Sequence, residues 1–179
     1  MRNADVVDHA LDLLARRRRE QRHDDHRDGA GRDADDAEAQ VVETDPRLRQ
    51  QAGTDLEDKA SLQRGAALYM NYCSGCHSLK YVRYARIGED LGLTEDEVQA
   101  NLNLNGGKIG DHVISPMSAE MGVAAFGKAP PDLSVIARVR GSDWIYTYLK
   151  SFYLDESRPV GWNNTLFPNA SMPNPLWEL

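Results

Sequence analysis

Apolar residues recur at helical spacing in two stretches of the central part of the chain. In the first, they repeat every three or four positions: Leu62, Ala66, Tyr69 and Cys73. This spacing places them on one face of a helix that leads into a pair of cysteines. The second stretch follows a capping box, in which Thr94 is three residues before Glu97. A second helix, which carries Val98 and Leu102, is therefore predicted there.

A short helix is predicted further along, between a start signal and a stop signal. The start signal is Ser115-Pro116, because proline favours the first turn of a helix, and the stop signal is Gly127. Met121 belongs to the apolar pattern of this helix, so a place in the core is expected for its side chain.

Two more helices are predicted after Pro130-Pro131, which breaks the chain. Asp132 is expected to cap a helix that runs through Ile136 to Arg140. Ser142 is expected to cap the last helix. The apolar stripe of this last helix comprises Trp144, Tyr148 and Phe152.

The remaining segments are predicted to lack regular structure. Residues 103–110 are rich in glycine and asparagine, and prolines interrupt the chain repeatedly from Pro159 onward. Residues 1–52 are predicted to be a disordered tail, because residues 20–38 contain no aromatic or branched aliphatic side chain. The sequence therefore predicts an all-α domain with long loops over residues 53–179, preceded by a charged tail.

Charge and composition restrict the classes of function. A net charge of −7 argues against a nucleic-acid partner. No apolar run approaches the ~18 residues that a transmembrane helix needs. Leu11 to Ala15 is too short for the apolar core of an export signal and runs directly into four arginines.

The candidate chemistry is concentrated in Cys73-Ser74-Gly75-Cys76-His77, which contains both cysteines of the chain. C-x-x-C-H is the attachment signature of c-type haem. The two thiols can bond to the two vinyl groups of one porphyrin, and the adjacent imidazole can be the proximal iron ligand. The sequence therefore predicts one covalent haem c per chain.

Two haem-free interpretations of this motif remain open. A C-x-x-C pair can be a redox dithiol, but that motif belongs near a βαβ pattern, which is not visible here. It can also supply half of a zinc site, which needs two further ligands. His112 is the only other histidine beyond the first 30 residues. Haem is therefore favoured over thiol redox chemistry and over zinc.

A methionine is the natural second iron ligand, because a thioether raises the reduction potential. The candidates are Met70, Met117, Met121 and Met172. Met70 is too close to Cys73 to reach the other face of the haem. Met172 lies far along the chain in a predicted loop, which can bring its sulfur to that face. Spacing therefore favours Met172 and leaves Met117 and Met121 open.

Three blocks of the sequence resemble the cytochrome c1 family in its proteobacterial form. They are residues 79–91, residues 129–134 and residues 161–179. The resemblance runs from about Asp55 to Leu179 and implies a class I cytochrome c-like haem domain. Members of this family are the haem-bearing subunit of the quinol:cytochrome c oxidoreductase (bc1) complex, so an electron-transfer subunit is implied.

The resemblance also implies roles for individual residues. These are Cys73 and Cys76 as thioether positions, His77 as proximal ligand, Met172 as distal ligand and Arg140 as a contact to a haem propionate. A carbonyl near Pro130 is expected to accept the other ring N–H of His77 and so to fix its tautomer.

The partners implied by the resemblance are the cytochrome b and Rieske iron–sulfur subunits, with cytochrome c as the electron acceptor. The implied location is the periplasmic face of the bacterial inner membrane. Such a subunit is not an enzyme on its own, because the cofactor supplies the redox chemistry. Family members begin with an export signal and end in a membrane anchor, so a truncated form is expected here. A free, diffusible c-type cytochrome is the alternative.

Overall fold

The computed structural model describes residues 49–179, so almost all of the predicted tail over residues 1–52 lies outside the described residues. The helices are α1 (Lys59–Tyr72), α2 (Tyr84–Leu91), α3 (Glu95–Asn101), α4 (Ala119–Phe126), α5 (Ile136–Arg140) and α6 (Ser142–Lys150). The strands are β1 (Leu79–Arg83), β2 (His112–Val113), β3 (Phe152–Leu154) and β4 (Trp162–Asn164). The predicted mostly helical class with long loops is confirmed, with two short ladders added. Within residues 49–179, no helix has the length and apolar character needed to cross a bilayer.

Helix α1 is fixed at both ends and delivers the cysteine motif. Its N-cap is Asp58, whose carboxylate accepts a hydrogen bond from the Ser61 amide at 2.9 Å. At its other end the Cys73 amide donates to the Tyr69 carbonyl at 2.9 Å. The helix therefore runs without interruption into the motif, as predicted.

The core lies where α1, α2, α3 and the β1–β2 ladder meet. Its buried residues are Met70, Tyr84, Leu91, Val98, Leu102 and Val113. β1 and β2 are antiparallel, with Leu79 opposite Val113. The capping box of α3 is present, since the amides of Thr94 and Glu97 each bond to the other residue's side chain. This core supports the segment that directly follows the cysteine motif.

Helix α4 begins three residues later than the proline signal predicts. Ser118 is its N-cap, and its hydroxyl accepts a hydrogen bond from the Met121 amide at 3.2 Å. Gly127 ends the helix with φ 76, as predicted. Met121 is 58 % exposed, so the prediction that it belongs to the core is wrong. The helix packs through Gly122 against Pro130, which leaves the neighbouring position facing outward.

The predicted cap role of Asp132 is also wrong. The N-cap of α5 is Val135, and no side chain caps this helix. The Asp132 carboxylate instead accepts hydrogen bonds from the Lys80 amide at 2.8 Å and the Ser134 amide at 3.0 Å. Asp132 therefore ties β1 to the segment that leads into α5.

Helix α6 and the strands after it differ from the prediction at their boundaries. Gly141, with φ 85, occupies the N-cap position, so Ser142 is the first helical residue and not the cap. Phe152 belongs to β3, which pairs with β4 in an antiparallel hairpin, with Phe152 opposite Asn164. The prolines after residue 159 therefore permit one short strand within the predicted loop.

The described chain begins with a strap, residues 49–52, that lies against α6. The Gln50 amide donates to the Thr147 hydroxyl at 2.9 Å. The Ala52 amide donates to the Asp143 carboxylate at 2.8 Å. Both contacts join residues more than ninety positions apart, so they close the domain from its first described residues.

Candidate haem site

The cysteine motif forms a tight turn at the end of α1. The amides of Cys76 and His77 donate to the Cys73 carbonyl at 3.0 and 2.8 Å. Both thiols are half-buried and neither is in a disulfide. Burial, and to a smaller extent Cys76, raises the pKa of the Cys73 thiol above its ordinary value. A redox dithiol needs a lowered thiol pKa, so this environment disfavours thiol redox chemistry.

His77 is held at its ring and at its backbone. Its Nδ1 lies 2.7 Å from the carbonyl oxygen of Pro131, and its own carbonyl accepts from the Tyr69 hydroxyl at 2.6 Å. A carbonyl can only accept, so Nδ1 carries the proton and Nε2 keeps a lone pair for a metal. The predicted acceptor near Pro130 is the carbonyl of Pro131, one residue further along. The ring of Pro130 instead packs against Gly122.

The far side of the motif is fixed by a second set of backbone contacts. The Ser115 hydroxyl donates to the Gly75 carbonyl at 2.8 Å, and the Leu133 amide donates to the Ser78 carbonyl at 2.9 Å. A cavity of about 240 Å³ opens beside Cys76 and is also lined by Met117, Pro130 and Asp132. Met117 therefore lies near the thiols, although it is outside any helix.

Four aromatic and basic side chains form a wall on α5, α6 and the loop after β4. Trp144 and Tyr148 stack with their ring centroids 5.0 Å apart, and Phe167 meets Trp144 edge-on at 6.3 Å. The Arg140 guanidinium lies 4.7 Å from the centroid of the Trp144 ring. The wall therefore combines stacked aromatic rings with a cation that lies over one of them.

Met172 lies against this wall. The Tyr148 hydroxyl donates to its sulfur at 3.8 Å. Burial raises the pKa of Tyr148 to about 12, so the hydroxyl remains a donor at neutral pH. Met70 is 3 % exposed in the core, and Met121 points to solvent. Among the methionines of residues 49–179, Met172 beside the wall and Met117 beside Cys76 are therefore the better placed to meet a bound group.

The residues present fit a haem. The indole Nε1 of Trp144 is buried and has no hydrogen-bond partner, which is unusual for a buried donor. A carboxylate of a haem propionate can satisfy this donor, and the Arg140 guanidinium beside the Trp144 ring places a positive charge next to it. A zinc site fits less well, because no group of three or more His, Cys, Asp or Glu side chains converges within residues 49–179.

One continuous segment, residues 131–148, contacts both predicted axial ligands. Pro131 bonds to His77 at its beginning, and Tyr148 bonds to Met172 at its end. Sequence reasoning missed Pro131, Tyr69 and the sulfur contact of Tyr148. The available signals were the double proline and the position of Tyr69 on the same helical face as Cys73. Neither signal identifies the bonded atom.

Comparison with known proteins places these features in a family. Residues 50–178 match the model of the Cytochrome C1 family, and this range includes every residue of the candidate site. Cytochrome c1 of Allochromatium vinosum is 52% identical over 128 residues, which are 72% of this chain and 52% of that protein. The ammonia monooxygenase gamma subunit of Nitrosomonas europaea is 46% identical over 128 residues, 72% of this chain and 54% of that protein.

A more distant relative is also a cytochrome c1 protein. The mitochondrial cytochrome c1 haem protein of Saccharomyces cerevisiae is 32% identical over 140 residues, 64% of this chain and 45% of that protein. The chain spans about half the length of the curated relatives it matches. The family match covers the C-x-x-C-H turn, the double proline and the Met172 loop together. The chain belongs to the cytochrome c1 family.

Proposed function

We propose that this chain is the haem c electron-transfer domain of a quinol:cytochrome c oxidoreductase (bc1) complex. The observation that carries the proposal is the His77–Pro131 contact at 2.7 Å, which leaves Nε2 as a metal ligand beside two free thiols. Haem c, when bound, supplies the one-electron chemistry. The chain supplies the ligands, a partly dry environment and the surface that meets the partners, and it is not an enzyme on its own.

Each site residue has a defined task in this proposal. Cys73 and Cys76 form the thioether bonds, and the Pro131 carbonyl keeps the proximal imidazole of His77 in one tautomer. Met172 supplies the distal thioether. The Arg140 guanidinium at the end of α5 and the Trp144 indole N–H on α6 bind a haem propionate, whose charge the guanidinium neutralises.

The partners follow from the family and are part of the proposal. The domain takes an electron from the Rieske iron–sulfur subunit and passes it to a cytochrome c, beside a cytochrome b subunit. One relative, from Candida albicans, is named as the cytochrome b-c1 complex catalytic subunit. This name supports membership of a cytochrome bc1 complex. The position of the haem domain on the periplasmic face of the membrane is part of the proposal.

The proposal is tested by maturation of the 179-residue chain behind an export leader in cells that have the haem c attachment machinery. A pyridine haemochrome spectrum should show covalent haem c in stoichiometric amount. Cys73→Ser and Cys76→Ser should each leave one vinyl group unreacted and shift the α-band to longer wavelength. A wild-type chain that acquires no covalent haem contradicts the proposal.

The distal ligand is tested on the same haem-loaded protein. Met172→Leu should abolish the weak near-infrared band of sulfur bonded to ferric iron, because leucine keeps the volume but lacks the sulfur. Met117→Leu is the matched control and should leave the band intact. The opposite pattern assigns the distal position to Met117, which lines the cavity beside Cys76.

A further inference from the structure

The loop that carries Met172 contains an asparagine in an uncommon backbone conformation. Asn169 has φ 61 and is the only non-glycine residue with positive φ within residues 49–179. This left-handed region is strained for most side chains and persists only where the surroundings enforce it. Asn169 lies three residues before Met172, so its conformation sets the direction in which the chain reaches the methionine.

Arg158 holds Asn169 at two points. Its Nη1 donates to the Asn169 side-chain oxygen at 2.9 Å, and its Nη2 donates to the Asn169 backbone carbonyl at 3.2 Å. The Asn169 amide in turn donates to the side-chain oxygen of Asn163 at 2.8 Å. A guanidinium can make such a two-point contact because its donors form a rigid fork, whereas an ammonium is a single point.

The hairpin behind this contact is itself braced by Asp155. One carboxylate oxygen accepts from the Asn163 amide group at 2.9 Å, and the other accepts from the Ser157 hydroxyl at 2.6 Å. The Arg158 amide donates to the Asp155 carbonyl at 3.1 Å. These bonds hold the β3–β4 hairpin in one conformation, in which Arg158 and Asn163 face the loop that carries Met172.

We propose that Arg158 and Asn169 are positioning residues that keep the Met172 side chain in the distal-ligand position. The inference rests on the proposed function, since it assigns a task to the loop of that same site. Arg158 acts through Asn169 and not through the sulfur. The strength of this contact therefore sets how readily the distal ligand leaves.

The test is a titration of the ferric, haem-loaded 179-residue protein with imidazole, which competes with methionine for the iron. Arg158→Met should bind imidazole about tenfold more tightly than wild type, since loss of charge-assisted hydrogen bonds favours the open loop by about that factor. Arg158→Lys keeps the charge but not the fork and should fall between the two.

Arg86→Met is the matched control. Arg86 also makes a two-point contact, in its case an exposed ion pair with the Asp90 carboxylate at 2.9 and 2.8 Å on α2. This variant should bind imidazole as wild type does. If Arg86→Met increased imidazole affinity as much as Arg158→Met does, Arg158 would contribute only to general stability. That result would overturn the inference.

Substitution of Asn169 separates its backbone conformation from its hydrogen bond. Asn169→Gly keeps easy access to positive φ and should have the smaller effect on imidazole affinity, whereas Asn169→Ala loses both properties. Unchanged imidazole binding in Asn169→Ala and Arg158→Lys, with an intact haem spectrum, overturns the inference and leaves the proposed function standing. A wild-type protein that acquires no haem contradicts the proposed function instead.

Discussion

Single hydrogen bonds decide how each predicted iron ligand is presented. The carbonyl of Pro131 accepts from the ring of His77, and the hydroxyl of Tyr148 donates to the sulfur of Met172. The first contact increases electron donation by the imidazole, and the second withdraws electron density from the thioether. With haem bound as proposed, the two bonds would therefore change the electron density of the two ligands in opposite directions.

Replacement of Tyr148 by phenylalanine tests the second of these bonds. Loss of the donor returns electron density to the sulfur and stabilises ferric iron, so the reduction potential should fall. A bond that is about 1 kcal/mol stronger in the ferrous than in the ferric protein corresponds to a shift of roughly 40 mV for one electron. Potentiometric titration of the haem-loaded protein measures the shift.

Tyr146→Phe is the control for this substitution. Tyr146 lies on the same helix, α6, and its hydroxyl accepts from the Lys150 ammonium at 3.0 Å near the surface. Its loss should leave the potential unchanged. An equal shift in the two variants would show that the Tyr148 contact has no specific effect.

Some residues of the candidate site can be predicted from a short motif, whereas others depend on how distant segments pack. The predicted roles of Cys73, Cys76 and His77 rest on spacing within five positions, which any conformation of the chain preserves. The partner of His77 depends on which of two neighbouring carbonyls packing brings to the ring. The ring of Pro130 packs against Gly122, and the carbonyl of Pro131 is the one that lies beside the His77 ring.

Secondary-structure elements were predictable where their ends are marked locally. Helix α3 begins at its capping box, and α1 follows its apolar repeat. Helix α2 (Tyr84–Leu91) was not predicted, because Arg83 at its N-cap makes no capping hydrogen bond. Strands β1 and β2 were missed for a different reason: they pair across more than twenty intervening residues, so no local pattern specifies the pair.

Helix α4 packs so closely against the double proline that a methyl group added at Gly122 should clash with Pro130. A Cβ on Gly122 would lie 2.4 Å from Cδ of Pro130 and 3.1 Å from Cα of Ala129. Gly122→Ala should therefore destabilise the fold by about 1–3 kcal/mol, more than the gain in helix propensity offsets. Urea unfolding measures the change.

Gly65→Ala is the matched helical control. A Cβ at Gly65 in α1 would meet nothing within 4 Å. The variant should therefore be as stable as wild type or more stable, by up to about 1 kcal/mol, because alanine is the better helix former. A similar loss in both variants would show that the Pro130 contact is not the cause.

For the molecule as a whole, Asp132 links stability to pH. Burial opposes ionisation, but hydrogen bonds from Ser134 and the Lys80 amide outweigh it and hold the pKa of Asp132 below its ordinary value. The folded state therefore binds fewer protons than the unfolded state, whose Asp pKa is about 3.9. This contribution is complete above that pH and is lost as the pH falls through the lower, folded pKa.

Asp132→Asn should remove this contribution, at a cost of about 1 kcal/mol near neutral pH. The difference from wild type should shrink as the pH is lowered below about 4, where the wild-type carboxylate also takes up a proton. Unfolding by urea across this pH range measures it. Glu156→Gln, a substitution of the same kind on an exposed turn, should show no such convergence.

The contacts of the strap, residues 49–52, bear on the order in which parts of the domain fold. Its bonds to α6 join residues 97 and 91 positions apart, and contacts that close such long loops form late. The backbone hydrogen bonds that form the turn at Cys73 lie within residues 69–77, so they can form before the distant contacts of the motif. As the chain emerges from its N-terminus, both thiols are therefore arranged before the last third of the domain closes. If the chain carries haem c as proposed, covalent attachment would have an interval in which the thiols are ordered and still open to an attachment enzyme.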